Sequence, residues 1–394
     1  MKHYDFILFE NYHLATHHKI DLYLIAQMLQ HEGLNVAILN IYGEDATSSI
    51  KNIPIINLPF PAQVPNDEWQ RKPKNKIHSF FATLILLKQQ HTYIKKVIKT
   101  IIPLADNFYI GSYHLGMSSQ FLHINKPCYY WGLRSERMNH FGKHFLKNPI
   151  YGIRMIQLKY LFFKNSFQRL FISNEIIMKE FSKLGLSTKR MTIREERCIE
   201  DIGTPNLNNR IPELTFLIIG QLRKEKHIET SISAFKLANI PNSYLKLVGK
   251  IRNDYTNTIT TAINKDKRIE CISDFLPYDE FNKWFTKSHF VLFADEQGPS
   301  CITNGTMMEA LINYRPIIGP NYNPYSYYIN KYNIGILYEP GNIIDYANAL
   351  KKAQSLGTSY FVPYIKSFLS TILFNKVSKK FISDLKENSY NLSK

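Results

Sequence analysis

Each half of this chain opens with the same alternation of buried strand, polar loop, helix and second strand, and nothing else in the sequence restricts the fold as much. Tyr4 to Phe9 is an apolar run of strand length. After a polar stretch from Glu10 to Asp21, Leu22, Ile25, Met28 and Leu29 recur at helical spacing. Gly33 closes that helix, and Val36-Ala37-Ile38-Leu39 forms the next strand. Such a βαβ unit begins a parallel sheet with helices on its faces. Phe108 to Gly111, Cys128 to Trp131 and Leu170 to Ser173 continue the sheet, the last followed by a helix that Gly185 closes.

Between Glu200 and Glu213 the character changes. Gly203, Pro205, Pro212 and a run of asparagines leave no periodicity, which marks a linker. A new strand, Leu214 to Ile219, follows at once. Leu245 to Val248, Phe290 to Phe293 and Pro316 to Ile318 succeed it, with helices between. The pattern predicts two successive α/β domains of similar size, which agrees with a length of 394 residues.

A net charge of +17 favours anionic partners: nucleic acid, an anionic membrane surface or phosphorylated ligands. A generally lysine-rich composition would give the same figure. Cys128, Cys198, Cys271 and Cys301 stand apart, with no paired spacing. That speaks against zinc and a disulfide framework and for a reducing compartment. The apolar run at Phe6 to Phe9, flanked by Asp5 and Glu10, is too short for a signal-peptide core. No segment has the apolar length of a membrane span, so the expectation is a protein in solution or resting on a surface.

Two stretches can carry chemistry. From Pro299 to Leu311 a polar, glycine-containing turn leads into a helix, with Glu309 in its early turns. Free amides at a helix start, together with the helix dipole, form a site for phosphate, and the carboxylate can reach a ribose. An ordinary capped helix, with Thr303, Asn304 or Thr306 as the cap, explains the same residues. The second stretch, Gly220 to His227, follows the first strand of the second half. Its glycine admits a ligand close to the backbone, and Arg223 and Lys226 offer a fork and a point charge for a diphosphate. A solvated basic loop is the other reading.

From Leu214 to Asn342 these features, in this order, resemble the donor domain of retaining glycosyltransferases of the GT-B fold, especially family 4. The resemblance rests on Gly220, Arg223, Lys226, Phe275-Leu276, the Asn304–Leu311 turn, Gly335 to Tyr338 and Pro340-Gly341-Asn342. The first half is similar only in its βαβ outline. The resemblance implies two Rossmann-like domains facing a cleft: an acceptor domain over 1–205 and a donor domain over 206–363. Helices over 364–394 would return to the first domain.

The family's E-x7-E motif is altered here. Glu309 matches the second glutamate, which holds the ribose, whereas Cys301 stands at the first, which helps hold the donor sugar. Glu296 is a candidate substitute. Thr303, Asn304, Gly305 and Thr306 fall where family amides meet the diphosphate. Phe275 and Leu276 fall by the base, or are simply core. The resemblance also implies stabilisation of the departing diphosphate by Arg223 and Lys226, with no metal and no cofactor beyond the UDP- or GDP-sugar substrate. On the acceptor side His114 is the candidate catalytic histidine, with surface or interior packing as its other reading. Arg134 and Glu136 stand where the family often has its active-site histidine, and the loop around His17 and His18 can close over the acceptor.

Basic residues interleave with aromatics from Arg71 to Lys99 and from Lys143 to Arg169, which suits an anionic leaflet or merely a solvated face. No nucleic-acid recognition motif accompanies them. The expectation is a cytoplasmic glycosyltransferase at the inner face of a membrane. It would move a sugar from a nucleotide-diphosphate donor to a glycan or lipid-linked acceptor in surface-polysaccharide assembly. An inactive GT-B binding module, motivated by Cys301, and a basic nucleic-acid or membrane-surface binding protein are the alternatives.

Overall fold

The computed structural model describes residues 2–10, 16–41, 52–59, 88, 92–111, 123–131, 156, 158–194, 197–205, 213–274, 276–295 and 304–389. The chain divides into two compact units, Met1–Cys198 with Val377–Lys394, and Ile199–Lys376.

Unit 1 is built on a parallel sheet of β1 (Tyr4–Glu10), β2 (Val36–Asn40), β3 (Ile55–Asn57), β4 (Ala105–Gly111), β5 (Cys128–Trp131), β6 (Phe167–Ile172) and β7 (Met191–Ile193), in the order β3-β2-β1-β4-β5-β6-β7. Every residue of β2, β5 and β6 is buried, the mark of strands covered on both faces. The first helix runs Thr16–His31 and so begins inside the stretch read as loop. Apolar periodicity sets in only at Leu22, which is buried, and so does not report the helix's first turns. The final helix, Phe374–Ser389, packs against this sheet. Phe381 lies 6.1 Å from Tyr109 and 4.9 Å from Phe171, ring to ring. Arg169 reaches Asp384 at 3.5 Å, and the Lys380 ammonium donates to the Ile193 carbonyl at 2.9 Å.

Unit 2 repeats the plan with β8 (Leu214–Ile219), β9 (Ser243–Val248), β10 (Ile269–Ile272), β11 (Phe290–Leu292), β12 (Ile317–Pro320) and β13 (Gly335–Tyr338). The order is β10-β9-β8-β11-β12-β13, with every pair parallel. The Ile228–Ala238 and Ile343–Leu356 helices pack together, and Ala234, Phe235, Ala347 and Leu350 lie on their buried faces. Ser231 and Tyr346 are hydrogen-bonded between them at 3.1 Å. The Val362–Thr371 helix stays with this unit, its Phe368 ring 4.9 Å from Tyr332.

Connections from β8 run to one side of the sheet order and those from β11 to the other. Their loops therefore diverge at the carboxyl ends and leave a crevice there, where doubly wound sheets bind ligands. One of the tightest backbone contacts of the unit lies beside it. Gly220 (φ 107°) and Gly249 (φ 130°) end β8 and β9, and a Cβ on Gly249 would stand 2.1 Å from the Gly220 carbonyl oxygen. Gly249→Ala is therefore expected to destabilise unit 2 by about 3 kcal/mol, through backbone strain and the clash together, read as a lowered urea midpoint.

Candidate donor site at the ends of β8 and β11

Beyond Gly220 the chain runs alongside the segment that follows β9. Leu222 N–H donates to the Lys250 carbonyl and Arg252 N–H to the Leu222 carbonyl, both at 3.0 Å. Between this pair of segments and the end of β10 lies a cavity of about 780 Å³, lined by Gly220, Gly249, Ile251, Asp274, Leu276 and Phe281 among others. Leu276 both lines the cavity and packs on the core, so the two readings of it coexist.

Arg223 opens a short turn, Lys224–Lys226, that ends at His227 in the left-handed conformation (φ 43°). Tyr255 fixes the turn's exit: its hydroxyl donates to Glu229 and accepts from Ile228 N–H at 2.8 Å. Burial holds the Tyr255 hydroxyl well above its ordinary pKa, with the hydrogen bond and charge of Glu229 adding to the shift. Arg223 remains exposed, 3.8 Å from Glu225. Lys226 turns inward. Its ammonium donates to the Ile219 carbonyl at 3.4 Å, and burial lowers its pKa. The Asp295 carboxylate opposes that shift, and Arg223 reinforces it.

Asn304 caps the Gly305–Ile312 helix, its Oδ1 accepting from Thr306 N–H at 3.0 Å and Met307 N–H at 3.4 Å. The structure shows the capped helix, and such a cap leaves room for an anion site, because it fixes the remaining amides in place. A Cβ on Gly305 would meet nothing within 4 Å among the described residues. Gly220 joins the two halves of the site. A Cβ there would stand 3.3 Å from the Lys226 ammonium and 3.6 Å from the Thr306 hydroxyl. Glu309 lies buried one turn further into the helix. Gly220, Lys226, Asn304, Gly305 and Thr306 therefore gather at the crevice, with Arg223 exposed nearby and Glu309 buried within the same helix.

The sequence did not point to the support behind the cap. Asn304 Nδ2 donates to the Tyr325 hydroxyl at 2.8 Å, and that hydroxyl donates to the Asp295 carboxylate. Tyr322 donates to the Asp295 backbone carbonyl. Burial, followed by the charge of Asp295 and the hydrogen bond to it, raises the Tyr325 pKa well above its ordinary value. Tyr338 and Tyr346 stack at 3.8 Å and both donate to the Phe293 carbonyl, at 2.9 and 3.4 Å, securing the end of β11 just before Asp295. Clustered Asp and Tyr residues following a strand were the only signal available.

Phe275, Glu296, Cys301, Thr303, His114, Arg134 and Glu136 lie outside the described residues. His17 and His18 fall in the Thr16–His31 helix, and their side chains likewise lie outside the description. Among the described residues, no three His, Cys, Asp or Glu side chains converge as metal ligands, and no helix is long and apolar enough to cross a membrane.

Residues 205–359 match the family model described as glycosyl transferases group 1. The second unit is a glycosyl transferases group 1 domain. The whole chain has the GT-B fold of glycosyltransferases. It is similar to the HepE protein of Anabaena solved in complex with UDP, at a TM-score of 0.70 and 13% identity, covering 98% of this chain and 100% of that one. Sucrose-phosphate synthase from Thermosynechococcus elongatus gives 0.68 at 11% identity over 98% and 100%. The lipopolysaccharide outer core galactosyltransferase WaaB, in its apo form, gives 0.66 at 13% over 98% and 99%. No curated protein matches the chain in sequence.

Two outcomes are expected of the site. Tyr325→Phe keeps the ring against Phe293, 4.9 Å away, but removes the hydroxyl between Asp295 and Asn304. It should cost about 1–3 kcal/mol in urea unfolding. For Lys226 the folded pKa lies below the ordinary value of 10.5, so between the two the unfolded chain holds more protons and stability rises with pH. The pH series of unfolding free energies for wild type minus Lys226→Met should climb through that window and flatten above it.

Proposed function

We propose that this glycosyltransferase transfers a sugar from a nucleotide-diphosphate donor, a UDP- or GDP-sugar, to a glycan or lipid-linked acceptor. One observation carries the reading. A shielded ammonium and the N-terminus of a capped helix meet at Gly220, in the crevice between β8 and β11 and beside a cavity of about 780 Å³. Lys226, Arg223 and the amides of Gly305 and Thr306 suit a diphosphate, Glu309 suits ribose hydroxyls, and the cavity suits a base against Leu276. HepE in its UDP complex supports the assignment by its fold.

Scission of the bond between sugar and diphosphate leaves two negative charges on the leaving group and an oxocarbenium-like sugar. On this reading the amides and the ammonium meet the departing oxygens from fixed positions, and that preorganisation would be the main source of rate. The positive charge that a metal would otherwise bring comes from Lys226, Arg223 and the helix dipole, which supports a metal-independent reaction. Retention of configuration, and a place in capsule, O-antigen or exopolysaccharide assembly at the cytoplasmic face of a membrane, belong to the same proposal. They follow from the resemblance of the donor domain.

UDP or GDP at 100 times its dissociation constant should add about 2.7 kcal/mol to folding, seen as a raised thermal midpoint. Arg223→Ala and Glu309→Gln should each remove most of that gain. A midpoint that no nucleoside diphosphate moves would refute the donor site. Slow hydrolysis of a nucleotide-sugar by the wild type marks an enzyme; nucleotide binding without any hydrolysis marks the inactive module that Cys301 suggests.

A further inference from the structure

In unit 1, residues 158–163 are helical, as is Ile156. Leu158, Leu161 and Phe162 face inward and are buried, with the Phe162 ring 4.2 Å from Phe167. The opposite side is apolar too. Ile156, Tyr160 and Phe163, spaced four and three residues apart, share one face and are 65%, 60% and 83% exposed. An amphipathic helix of a protein in water places polar residues there.

The seat of this helix is well made. Arg190 Nη1 donates to the carbonyls of Phe162, Lys164 and Phe167 at 3.0, 3.1 and 3.0 Å, which closes the helix's carboxyl end. The Lys159 ammonium lies 3.5 Å from where a Cβ on Gly185 would stand, and so against the turn that ends the Glu175–Lys183 helix. Exposed Lys159 thereby flanks the apolar face, and Lys179 on the neighbouring helix and Lys189 are exposed as well. From 156 to 190 the chain carries five lysines and two arginines against two glutamates, and one of those, Glu180, is paired with Lys183 at 2.8 Å.

We infer that Ile156, Tyr160 and Phe163, flanked by Lys159 within a lysine-rich stretch of the chain, form the face by which unit 1 seats on an anionic bilayer. The inference rests on the proposed membrane-side reaction but uses no residue of the donor site. The aliphatic and aromatic side chains enter the boundary between headgroups and acyl chains, where a tyrosine keeps its hydroxyl in the wet layer. The lysines lay their stems along the apolar surface and place their ammonium groups among lipid phosphates. A second copy of the chain fits poorly, because a two-fold contact would set these lysines against themselves.

The test is co-sedimentation of the full chain with vesicles of phosphatidylcholine, with and without about one third phosphatidylglycerol. Wild type should partition onto the anionic vesicles and release as salt is raised. Tyr160→Ser with Phe163→Ser should weaken partitioning about tenfold or more. Lys159→Gln should weaken it about fivefold. All these positions are exposed, and the UDP-induced thermal shift should persist in every variant, so a failed docking face and a failed donor site give different results. Undiminished partitioning of the double variant, or equal binding to both vesicle types, would overturn the inference. So would a wild-type dimer that the double variant dissolves, which would assign the face to a second copy.

Discussion

The approach of Gly249 to the Gly220 carbonyl is the constraint on which the donor unit depends. No side chain fits between these backbones, and both residues sit at φ values that L side chains rarely adopt. Because the contact is bare, the segments after β8 and β9 leave the sheet side by side, joined through Leu222, Lys250 and Arg252. That direction opens the cavity on one flank. On the other it brings the turn carrying Lys226 back over the end of β8. Had β9 ended in any larger residue, the two segments would splay and the ammonium would lose its place beside Thr306.

What the contact brings together is electrostatically unfavourable without a ligand. Burial and Arg223 both disfavour a charged Lys226, and the adjacent helix terminus adds positive potential. Asp295 is the counterweight, and it is held by Tyr325 and Tyr322 while Tyr325 also anchors the cap at Asn304. One carboxylate thus steadies both halves of an anion site without occupying it. A site that keeps positive charge desolvated in this way is less stable empty than a neutral one would be. The proposed dianionic diphosphate would relieve the strain, an exchange of stability for preorganisation.

Much of this arrangement was legible in the sequence because it is local. Strand runs ending in Gly220, a basic turn at Arg223 to Lys226, and Asn304-Gly305-Thr306 before an apolar helix all carry their meaning within a dozen residues. Parallel sheets also announce themselves, since strands buried on both faces are largely apolar, as β5 and, but for Thr215, β8 are. Asp295 and Tyr325 were not legible: each has an ordinary local context, and their bond spans 30 positions. The start of the Thr16–His31 helix was misread for a related reason, because apolar spacing reports burial and not hydrogen bonding. The outward face at Tyr160 and Phe163 was visible only as a basic, aromatic stretch. Which side of the helix met the core had to come from the fold.

The two proposed surfaces divide a physical problem between the units. A nucleotide-sugar is small, soluble and highly charged, so its site must be built deep and positive, and unit 2 spends its loops on that. A lipid-linked acceptor is confined to a plane, and the scarce quantity there is time spent near the plane. Three apolar side chains and a few lysines give reversible adhesion, far short of an anchor. Reversible adhesion suffices, because confinement raises the effective concentration of a surface-bound acceptor without any added contact to it. Weak seating also lets the protein leave one acceptor for the next, so a shallow face such as Ile156, Tyr160 and Phe163 serves turnover better than a span would.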